Sequence, residues 1–404
     1  MFTIVIIELF TFVNMKNGTI LYSDFIRLYS GFKELELNGR YITYSHIEKP
    51  FQRLSSKFRT SIIGHSTLGV PIKSIFVGSG KIKILAWSQM HGNESTTTKA
   101  VFDLLNGFYQ YEGNEFLKNI LENCTLQIIP MLNPDGAKAY TRENANKTDL
   151  NRDAKKLTEI ESQLLRSEFD RFQPDFCFNL HGQRTIFSAG DQPFPATMSF
   201  LTPAMDQDRT ITASRIKSMK VIAAIAMDLQ EFLPKQIGRY DDAFNDNCTG
   251  DSFQSLFVPT ILFEAGHYKD DYQREKTRKF VVAALFSGLN AIASGIYNDL
   301  EFQDYFKIPE NKKLFYDVIL REAKLNDQIT DVAIQFKEVL TNNKIEFVPI
   351  IEKIAPNLSF YGHKEIDCGK MKVSLEGQKS LGENDLVSNI ILNNEVLAIN
   401  CENN

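Results

Sequence analysis

The sequence has little cysteine, and its cysteines show no pairing pattern. Five cysteines in 404 residues are scattered along the chain, with no Cys-x-x-Cys pair and no spacing typical of a disulfide framework. Such usage fits a reducing compartment in which single thiols are buried. We therefore expect a cytoplasmic protein, with a periplasmic or secreted location as the alternative.

Excess basic charge and long apolar runs are also lacking. The formal net charge of −5 argues against nucleic acid or an anionic membrane as the main partner. The apolar run at residues 2–13 is too short to span a bilayer, contains Glu8 and follows no basic residue, unlike a secretory signal. Because Met15 precedes Lys16, we expect residues 1–15 to be an extension outside the native protein; an edge strand or apolar helix is the alternative. No other segment approaches transmembrane length, so no membrane span is expected.

Short apolar runs alternate with longer helical patterns between residues 80 and 300. The short runs are rich in β-branched or aromatic residues and end at polar or glycine-containing turns, which predicts buried strands. They are residues 81–87, 125–132, 175–181 and 259–267. The segments with helical periodicity are residues 95–111, 153–172, 211–233 and 273–300. This alternation predicts an α/β fold in which a mixed central sheet carries helices on both faces.

The pattern of apolar residues changes near residues 301–313. Beyond them the chain has short alternating runs and no long apolar helix, which predicts a small β-rich or α+β domain. A chain of 404 residues is also too long for one small core. We therefore predict a main domain at residues 16–305 and an accessory domain of unknown role at residues 310–404.

Four ionisable side chains follow predicted strands, at the edge where parallel sheets gather functional residues. They are His91, Glu94, His181 and Glu264. A single His-x-x-Glu is explained more simply by a capped junction between a strand and a helix. Ionisable groups beside an apolar sheet need partners, however, so four of them on one rim favour a site. Two imidazoles and one carboxylate are the usual protein ligands of a catalytic zinc, and the remaining glutamate is suited to act as a general base.

A second polar cluster lies in residues 133–154, which begin with Asn-Pro-Asp-Gly. This tetrapeptide predicts a turn, because proline sets φ, aspartate can bond locally and glycine can accept a positive φ. Arg142, Asp149, Asn151 and Arg152 follow in a loop-like stretch. A guanidinium grips a carboxylate at two points, so these residues are typical of an anion pocket. Ordinary solvated arginines in a loop are the alternative.

These parts, in this order, resemble the carboxypeptidase A-like zinc metallocarboxypeptidases. The resemblance rests on HGNE at 91–94, NPDG at 133–136, RENANKTDLNR at 142–152, the downstream His181 and the glutamate of LFEAGH at 262–267. It covers residues from about 55 to 295. It implies the zinc carboxypeptidase fold, one zinc ion per chain and a zinc metallopeptidase that hydrolyses the C-terminal peptide bond of peptides.

The resemblance also implies which residues surround the metal. His91, Glu94 and His181 match the family's zinc ligands. Asp149 matches the aspartate that accepts the other N–H of the first ligand histidine. Such an acceptor fixes the tautomer and orients the ring.

Four further residues match positions that act on the substrate. Glu264 matches the general base, which takes a proton from a zinc-bound water, and Arg142 matches the arginine that polarises the scissile carbonyl. Asn151 and Arg152 match the pair that binds the terminal carboxylate of the substrate. We therefore expect a peptide or amino-acid-conjugate substrate with a free carboxylate.

The pocket for the substrate side chain is less readable, because residues 238–257 depart from the digestive members of the family. Tyr240 is a candidate for the mobile tyrosine that caps the substrate, with packing as the alternative. Asp251 either favours a basic side chain or caps a turn. Arg184 is either a second anion contact or a solvated residue. We expect structural or solvent roles for the remaining histidines at 46, 65, 267 and 363.

Two enzymatic functions stay open at this point. The first is a zinc carboxypeptidase that acts on peptides. The alternative is a zinc-dependent amidase or deacylase that acts on N-acyl amino acids or cell-wall peptides. A metal-free binding module is disfavoured because every catalytic position is filled, and the sequence predicts no particular oligomeric state.

Overall fold

The computed structural model describes residues 28–111, 113–375 and 381–401. The extension predicted at residues 1–15 lies outside the described residues. The described part consists of an α/β body, followed by β-sheets in the C-terminal region.

An eight-stranded mixed sheet forms the centre of the α/β body. Its strands, in chain order, are β1 Arg59–His65, β2 Pro71–Val77, β3 Ile82–Ser88, β4 Cys124–Ile129, β5 Phe176–Gly182, β7 Met198–Leu201, β8 Ile237–Arg239 and β9 Thr260–Ala265, while β6 Phe187–Ala189 lies outside this sheet. The spatial order is β1-β2-β4-β3-β5-β9-β7-β8. Strands β4, β3, β5 and β9 run parallel to one another at the centre. The pairs β1–β2, β2–β4 and β7–β9 are antiparallel.

The predicted mixed sheet is confirmed. The four apolar runs form the four central strands, and each strand begins within one residue of its predicted start. Central parallel strands read as continuous apolar runs because helices cover both of their faces. In β3, Ile84 and Ala86 face one hydrophobic core, whereas Leu85 and Trp87 face the other. This alternation follows from the pleat of a strand, in which successive side chains point to opposite faces.

Helices cover both faces of the sheet, as predicted. They are α1 Tyr44–Ser55, α2 Thr96–Gln110, α3 Glu115–Asn123, α4 Pro134–Ala139, α5 Ile160–Phe172, α6 Ala213–Leu229, α7 Thr249–Ser255 and α8 Glu275–Ser294. The larger core takes side chains from α2, α6 and α8. The smaller core on the opposite face takes Leu165 and Phe169 from α5 and Phe253 from α7.

The helix predicted at residues 153–172 is shorter than expected, since it begins at Ile160. Leu157 has a φ of 52°, in the left-handed region, so the helix cannot extend back through this residue. The carboxylate of Asp153 accepts hydrogen bonds from the backbone nitrogens of Thr158 and Glu159, at 3.0 and 2.9 Å. Local bonding by an aspartate side chain competes with helix formation in this way.

The C-terminal region is β-rich in its described part, which agrees with the first of the two predicted alternatives. Its strands are β10 Asn311–Lys313, β11 Phe315–Leu325, β12 Gln328–Thr341, β13 Lys344–Ala355, β14 Tyr361–Asp367, β15 Val373–Leu375, β16 Asn389–Leu392 and β17 Glu395–Ala398. They form a four-stranded sheet, β13-β12-β11-β14, and a three-stranded sheet, β15-β16-β17. These two sheets share a hydrophobic core that includes Val318, Ile334 and Ile390. Strand β10 instead pairs with β6 of the α/β body, so a two-stranded sheet connects the two regions.

Among the described residues, no helix combines the length and the apolar character needed to cross a membrane.

Candidate active site

The first two predicted metal ligands lie in a tight connection between β3 and α2. Gln89, directly after the strand, has a φ of 49°, and its amide nitrogen donates to the carbonyls of Ile42 and Gly92, both at 2.8 Å. Gly92 packs so closely on residues 136–137 that a Cβ there would lie 1.9 Å from the carbonyl carbon of Gly136. These contacts hold the connection on both sides of His91. The backbone N–H of Glu94 donates to the carbonyl of His91 and closes the turn between them.

The third predicted ligand joins them from the neighbouring strand. His181 lies near the end of β5, and its Nδ1 lies 3.1 Å from Nδ1 of His91. Glu94 bridges the pair, with Oε1 at 2.8 Å from Nδ1 of His91 and Oε2 at 3.0 Å from Nδ1 of His181. The backbone nitrogen of Gly182 also donates to Oε2, at 2.9 Å. One nitrogen from each imidazole and the carboxylate thus face a common point.

The cluster has the donor set and the spacing of a zinc site. Within the described residues these three side chains form a group whose possible ligand atoms all lie within 4.8 Å of one another. Ligands bound at about 2.0–2.1 Å in a tetrahedron are separated by roughly 3.3 Å, close to the contacts seen here. Two imidazoles and one carboxylate leave a fourth position for water or substrate, which is typical of a catalytic zinc. The residues present therefore fit the metal that the family implies.

Asp149 and Arg142 lie on the outer side of His91. Oδ1 of Asp149 is 3.1 Å from Nε2 of His91, and its Oδ2 accepts from Nε of Arg142 at 2.9 Å. Nη1 of Arg142 also reaches Oε1 of Glu94, at 3.4 Å. Partial burial opposes the charge of Asp149, but His91 and Arg142 outweigh it and lower the pKa of Asp149. The aspartate is therefore ionised, and it occupies the position that was predicted to orient His91.

The same electrostatic balance acts on the three candidate ligands. Burial disfavours charge on Glu94, yet the two imidazoles lower the pKa of this carboxylate well below its usual range. Burial also opposes the charge of His91, but Glu94 and Asp149 raise its pKa. Burial lowers the pKa of His181, against the hydrogen bond and the charge of Glu94. The site thus holds an ionised carboxylate between two imidazoles, with a charge pattern that suits a cation.

Asn151 and Arg152, the two residues predicted to bind the substrate carboxylate, lie beside this cluster on a short 3-10 turn at Leu150–Arg152. The backbone nitrogen of Asn151 donates to Asp149 at 2.9 Å, and the side-chain oxygen of Asn151 accepts from the backbone nitrogen of Thr249, also at 2.9 Å. Arg152 contacts the carbonyl of Asn151 at 2.7 Å and Sγ of Cys248 at 3.0 Å. No carboxylate in the described part of the chain forms an ion pair with Arg152, so its guanidinium has charge to offer a ligand.

Glu264 lies in β9, directly beside His181 of β5 in the register of the two parallel strands. Its side chain is buried, and Oε2 has no hydrogen-bond partner among the described residues. Burial raises the pKa of Glu264 well above its usual range, and the charge of Glu94 raises it further, against Arg142 and Arg274. A buried carboxyl without a partner is costly and is a frequent mark of a functional group.

The remaining candidate pocket residues also line the same cleft, namely Tyr240, Asp251 and Arg184. The ring of Tyr240 packs on Phe187, with ring centres 5.2 Å apart, and burial raises the pKa of its hydroxyl. Asp251 lies in the first turn of α7 and accepts from the backbone nitrogen of Asn245 at 2.8 Å. Tyr240 therefore packs against a neighbouring ring and Asp251 bonds a nearby backbone nitrogen, while the roles of all three residues toward a substrate stay predictions.

The cleft is a cavity of about 920 Å³. Every predicted site residue except Asp149 lines it. Part of its wall comes from the C-terminal region, to which the sequence assigned no role. This wall includes Lys313, Asp317, Gln335, Phe336, Lys337, Glu338, Phe347, Ile350 and Glu352. Arg40 and Tyr140 of the α/β body also line it. The sequence carries no motif at these positions, because they meet the site only through packing between distant segments.

Part of the chain is similar in sequence to known proteins. Residues 43–185 match the family model described as zinc carboxypeptidase, peptidase M14. Carboxypeptidase SOL1 of Arabidopsis thaliana is 34% identical over 130 residues, which is 30% of this chain and 26% of the relative. Gamma-D-glutamyl-L-diamino acid endopeptidase 1 of Lysinibacillus sphaericus is 32% identical over 80 residues, or 18% of this chain and 20% of the relative. The matched region thus spans about a quarter or less of these relatives.

The fold has relatives among solved structures. A metallo-carboxypeptidase from Burkholderia cenocepacia superposes with a TM-score of 0.51 at 14% identity, covering 64% of this chain and 70% of that chain. At this identity the likeness shows a shared fold.

The fold is shared with a solved metallo-carboxypeptidase, and the site has the ligand set of a metal centre. The match over residues 43–185 confirms the resemblance of this part of the chain to the zinc metallocarboxypeptidases. This family is zinc-dependent, and the chain supplies the His-Glu-His cluster that such a metal needs.

Proposed function

We propose that this protein is a zinc-dependent metallocarboxypeptidase that hydrolyses the C-terminal peptide bond of peptides. One observation carries the proposal: three ligand-type side chains converge beside an unpartnered, buried glutamate in a cleft that also contains arginines. Zinc, the role of the glutamate and the substrate class are all parts of this proposal.

His91, Glu94 and His181 would hold the metal, and Asp149 would keep the imidazole of His91 in the tautomer whose Nδ1 faces it. A zinc ion bound there supplies Lewis-acid chemistry, which polarises a carbonyl group and lowers the pKa of water. The fixed loop around His91 keeps these groups in place before the substrate arrives, which reduces reorganisation during the reaction.

Glu264 would act as the general base and then as the general acid. It takes a proton from the attacking water while the new C–O bond forms, and it delivers that proton to the leaving nitrogen as the C–N bond breaks. One water is consumed, and the products are a free amino acid and a shortened peptide. The Oε2 atom of Glu264 suits this exchange, because the described residues make no competing hydrogen bond to it.

The arginines would divide two tasks between them. Arg142 donates toward the carbonyl oxygen as negative charge develops on it, and loss of one such donor typically reduces kcat by about 10²–10³. Arg152 and Asn151 bind the terminal carboxylate at a fixed distance from the metal cluster. This second contact restricts cleavage to the last peptide bond, which is the property that defines an exopeptidase.

A second candidate function is a zinc-dependent amidase or deacylase that acts on N-acyl amino acids or cell-wall peptides. The observation that favours it is the likeness to gamma-D-glutamyl-L-diamino acid endopeptidase 1, at 32% identity over 80 residues. Both candidates use the same metal site and general base. They differ in the acyl group of the scissile amide, which belongs to a peptide for the first candidate and to an N-acyl group or a cell-wall peptide for the second.

A substrate panel with the purified chain would test both candidates. The panel contains a peptide with a free C-terminus, the same peptide as a C-terminal amide, an N-acyl amino acid and a γ-D-glutamyl peptide. We expect zinc to restore activity after chelation, with the free peptide cleaved fastest and its amide resistant. Equal cleavage of the amide would refute exopeptidase action, and preference for either of the last two substrates would favour the second candidate.

A further inference from the structure

A carboxylate of the C-terminal sheet reaches into the wall of the active-site cleft. Glu338 lies on β12, and its Oε1 forms an ion pair with Nη2 of Arg40 at 2.9 Å. Its other carboxylate oxygen accepts a hydrogen bond from the hydroxyl of Tyr140. Arg40 and Tyr140 belong to the α/β body, and all three side chains line the cleft. Glu338 therefore joins two segments of the body that the sequence separates by about a hundred residues.

Tyr140 has an unusual backbone position that this contact helps to hold. It ends α4 with a φ of 57°, a left-handed conformation that is unfavourable for a large side chain. Its side chain is buried, although it lies at the border of the cleft. The hydroxyl bond to Glu338 fixes the ring, and with it the direction in which the chain leaves α4.

The segment that leaves α4 leads directly to the active site. The next residue, Thr141, accepts a hydrogen bond from the backbone nitrogen of Asn93 at 3.2 Å, and Asn93 lies between His91 and Glu94. Arg142 follows, with its contacts to Asp149 and Glu94. A shift of Tyr140 would thus move Arg142 relative to the candidate metal ligands.

The same C-terminal sheet also holds the loop that follows His181. Nε2 of Gln335 donates to Oγ1 of Thr185 at 2.7 Å, and the imidazole of His363 bonds to the carbonyl of Thr185 at 2.8 Å. Gln335 and Glu338 lie on one strand, β12. The sheet therefore contacts both the segment that leads to Arg142 and the loop that follows His181.

We propose that Glu338 is a positioning residue that sets the place of Arg142 through Tyr140, and that the C-terminal sheet is part of the active centre. The inference rests on the proposed function, because it gives Arg142 a role in stabilising charge during the reaction. Tyr140→Phe removes the hydroxyl and keeps the ring, the fold of the turn and the ion pair of Glu338 with Arg40. We expect this variant to lose kcat by about tenfold, since a misplaced donor no longer meets the developing charge, while KM and zinc content stay near those of the parent.

A double-mutant cycle separates positioning from general stability. Glu338→Gln and Tyr140→Phe are each measured alone and in an Arg142→Ala background, at a temperature where every variant is folded. Positioning predicts that the loss in kcat disappears once Arg142 is absent, because the two changes then act on the same interaction. An equal loss in both backgrounds would overturn the inference. If Glu338→Gln does not fold, the cycle is complete with Tyr140→Phe alone.

Tyr361→Phe is the matched control. Its hydroxyl also bonds the C-terminal region to the body, through the carbonyl of Asp191 at 2.8 Å, but Tyr361 is not among the residues that line the cleft. We expect unchanged kcat in this variant. If Arg142→Ala loses activity while Tyr140→Phe does not, the inference fails and the proposed function stands; if Arg142→Ala keeps full activity, the assigned role of the arginine fails and the inference with it.

Discussion

The imidazole of His91 and the carboxylate of Asp149 bond through the ring nitrogen that points away from the other candidate ligands. Nε2 of His91 lies 3.1 Å from Oδ1 of Asp149, while Nδ1 faces Glu94 and His181. Because its neighbours hold Asp149 ionised, the carboxylate has no proton to give, so the imidazole is the donor. In the neutral imidazole this contact places the proton on Nε2, so that the lone pair of Nδ1 can bind a metal ion.

Removal of this acceptor should weaken zinc binding without removing a ligand. We expect Asp149→Ala to reduce zinc affinity about 10–100-fold, as is typical when a partner of a ligand histidine is lost. Competition with a chromophoric chelator measures this affinity. Asp170→Ala is a control, because Asp170 pairs with Arg166 on the surface of α5. Equal zinc affinity in Asp149→Ala and the parent would show that Asp149 does not support the metal site.

Glu264 can be tested separately from the metal, because it is not among the three converging ligands. We expect Glu264→Gln to abolish turnover while zinc content stays near one ion per chain, since the amide keeps the shape of the side chain but cannot accept the proton. Metal analysis and a turnover assay on the same sample give both quantities. Glu122→Gln, an exposed change on α3, controls for the loss of a carboxylate elsewhere. Substantial turnover in Glu264→Gln would remove this residue from the mechanism.

The central sheet and the candidate ligands could be predicted because their signals are local in the sequence. An apolar run buried on both faces reveals a central parallel strand, and polar residues directly after it fall on the functional edge of the sheet. His181 and Glu264 were placed on one rim by this argument, and the structure pairs them across β5 and β9. The order of short motifs then supplied the expected metal set.

The wall of the cleft could not be predicted in this way. The bond between Tyr140 and Glu338 joins residues 198 positions apart, and neither residue belongs to a recognisable motif. Such contacts depend on how the C-terminal sheets pack against the body, which short patterns do not encode. The late start of α5 was missed for a different, local reason: Asp153 bonds the backbone nearby, where periodicity alone indicates a helix.

The anion pocket makes a prediction about substrate binding. We expect Arg152→Ala to raise KM for peptides with a free C-terminus by about 10–100-fold, because a charge-assisted contact of about 1.5–3 kcal/mol is lost. Steady-state kinetics with a peptide and its C-terminal amide measure the effect, which should be much smaller for the amide. Arg166→Ala, on the exposed face of α5, is the matched control. An unchanged KM for the free peptide would mean that another residue binds the carboxylate.

Asp251 makes a prediction about stability. Burial raises the pKa of this carboxyl from 3.8 to about 7, against the hydrogen bond from Asn245 and the charge of Arg152. Between these two pH values the folded chain keeps a proton that the unfolded chain has released. Unfolding then releases a proton, so this residue makes the folded state less stable as the pH rises from about 4 to 7.

Asp251→Asn should remove that dependence. The amide keeps an oxygen that can accept from the backbone nitrogen of Asn245, but it cannot ionise. We compare the free energy of unfolding of the variant with that of the parent. We therefore expect the difference, variant minus parent, to be larger at pH 8 than at pH 5, where the parent aspartate is largely protonated. Urea unfolding of both proteins at several pH values measures the difference. A difference that stays constant across this range would contradict a raised pKa, and a difference that shrinks toward pH 8 would mean that the ionised carboxylate stabilises the folded cleft.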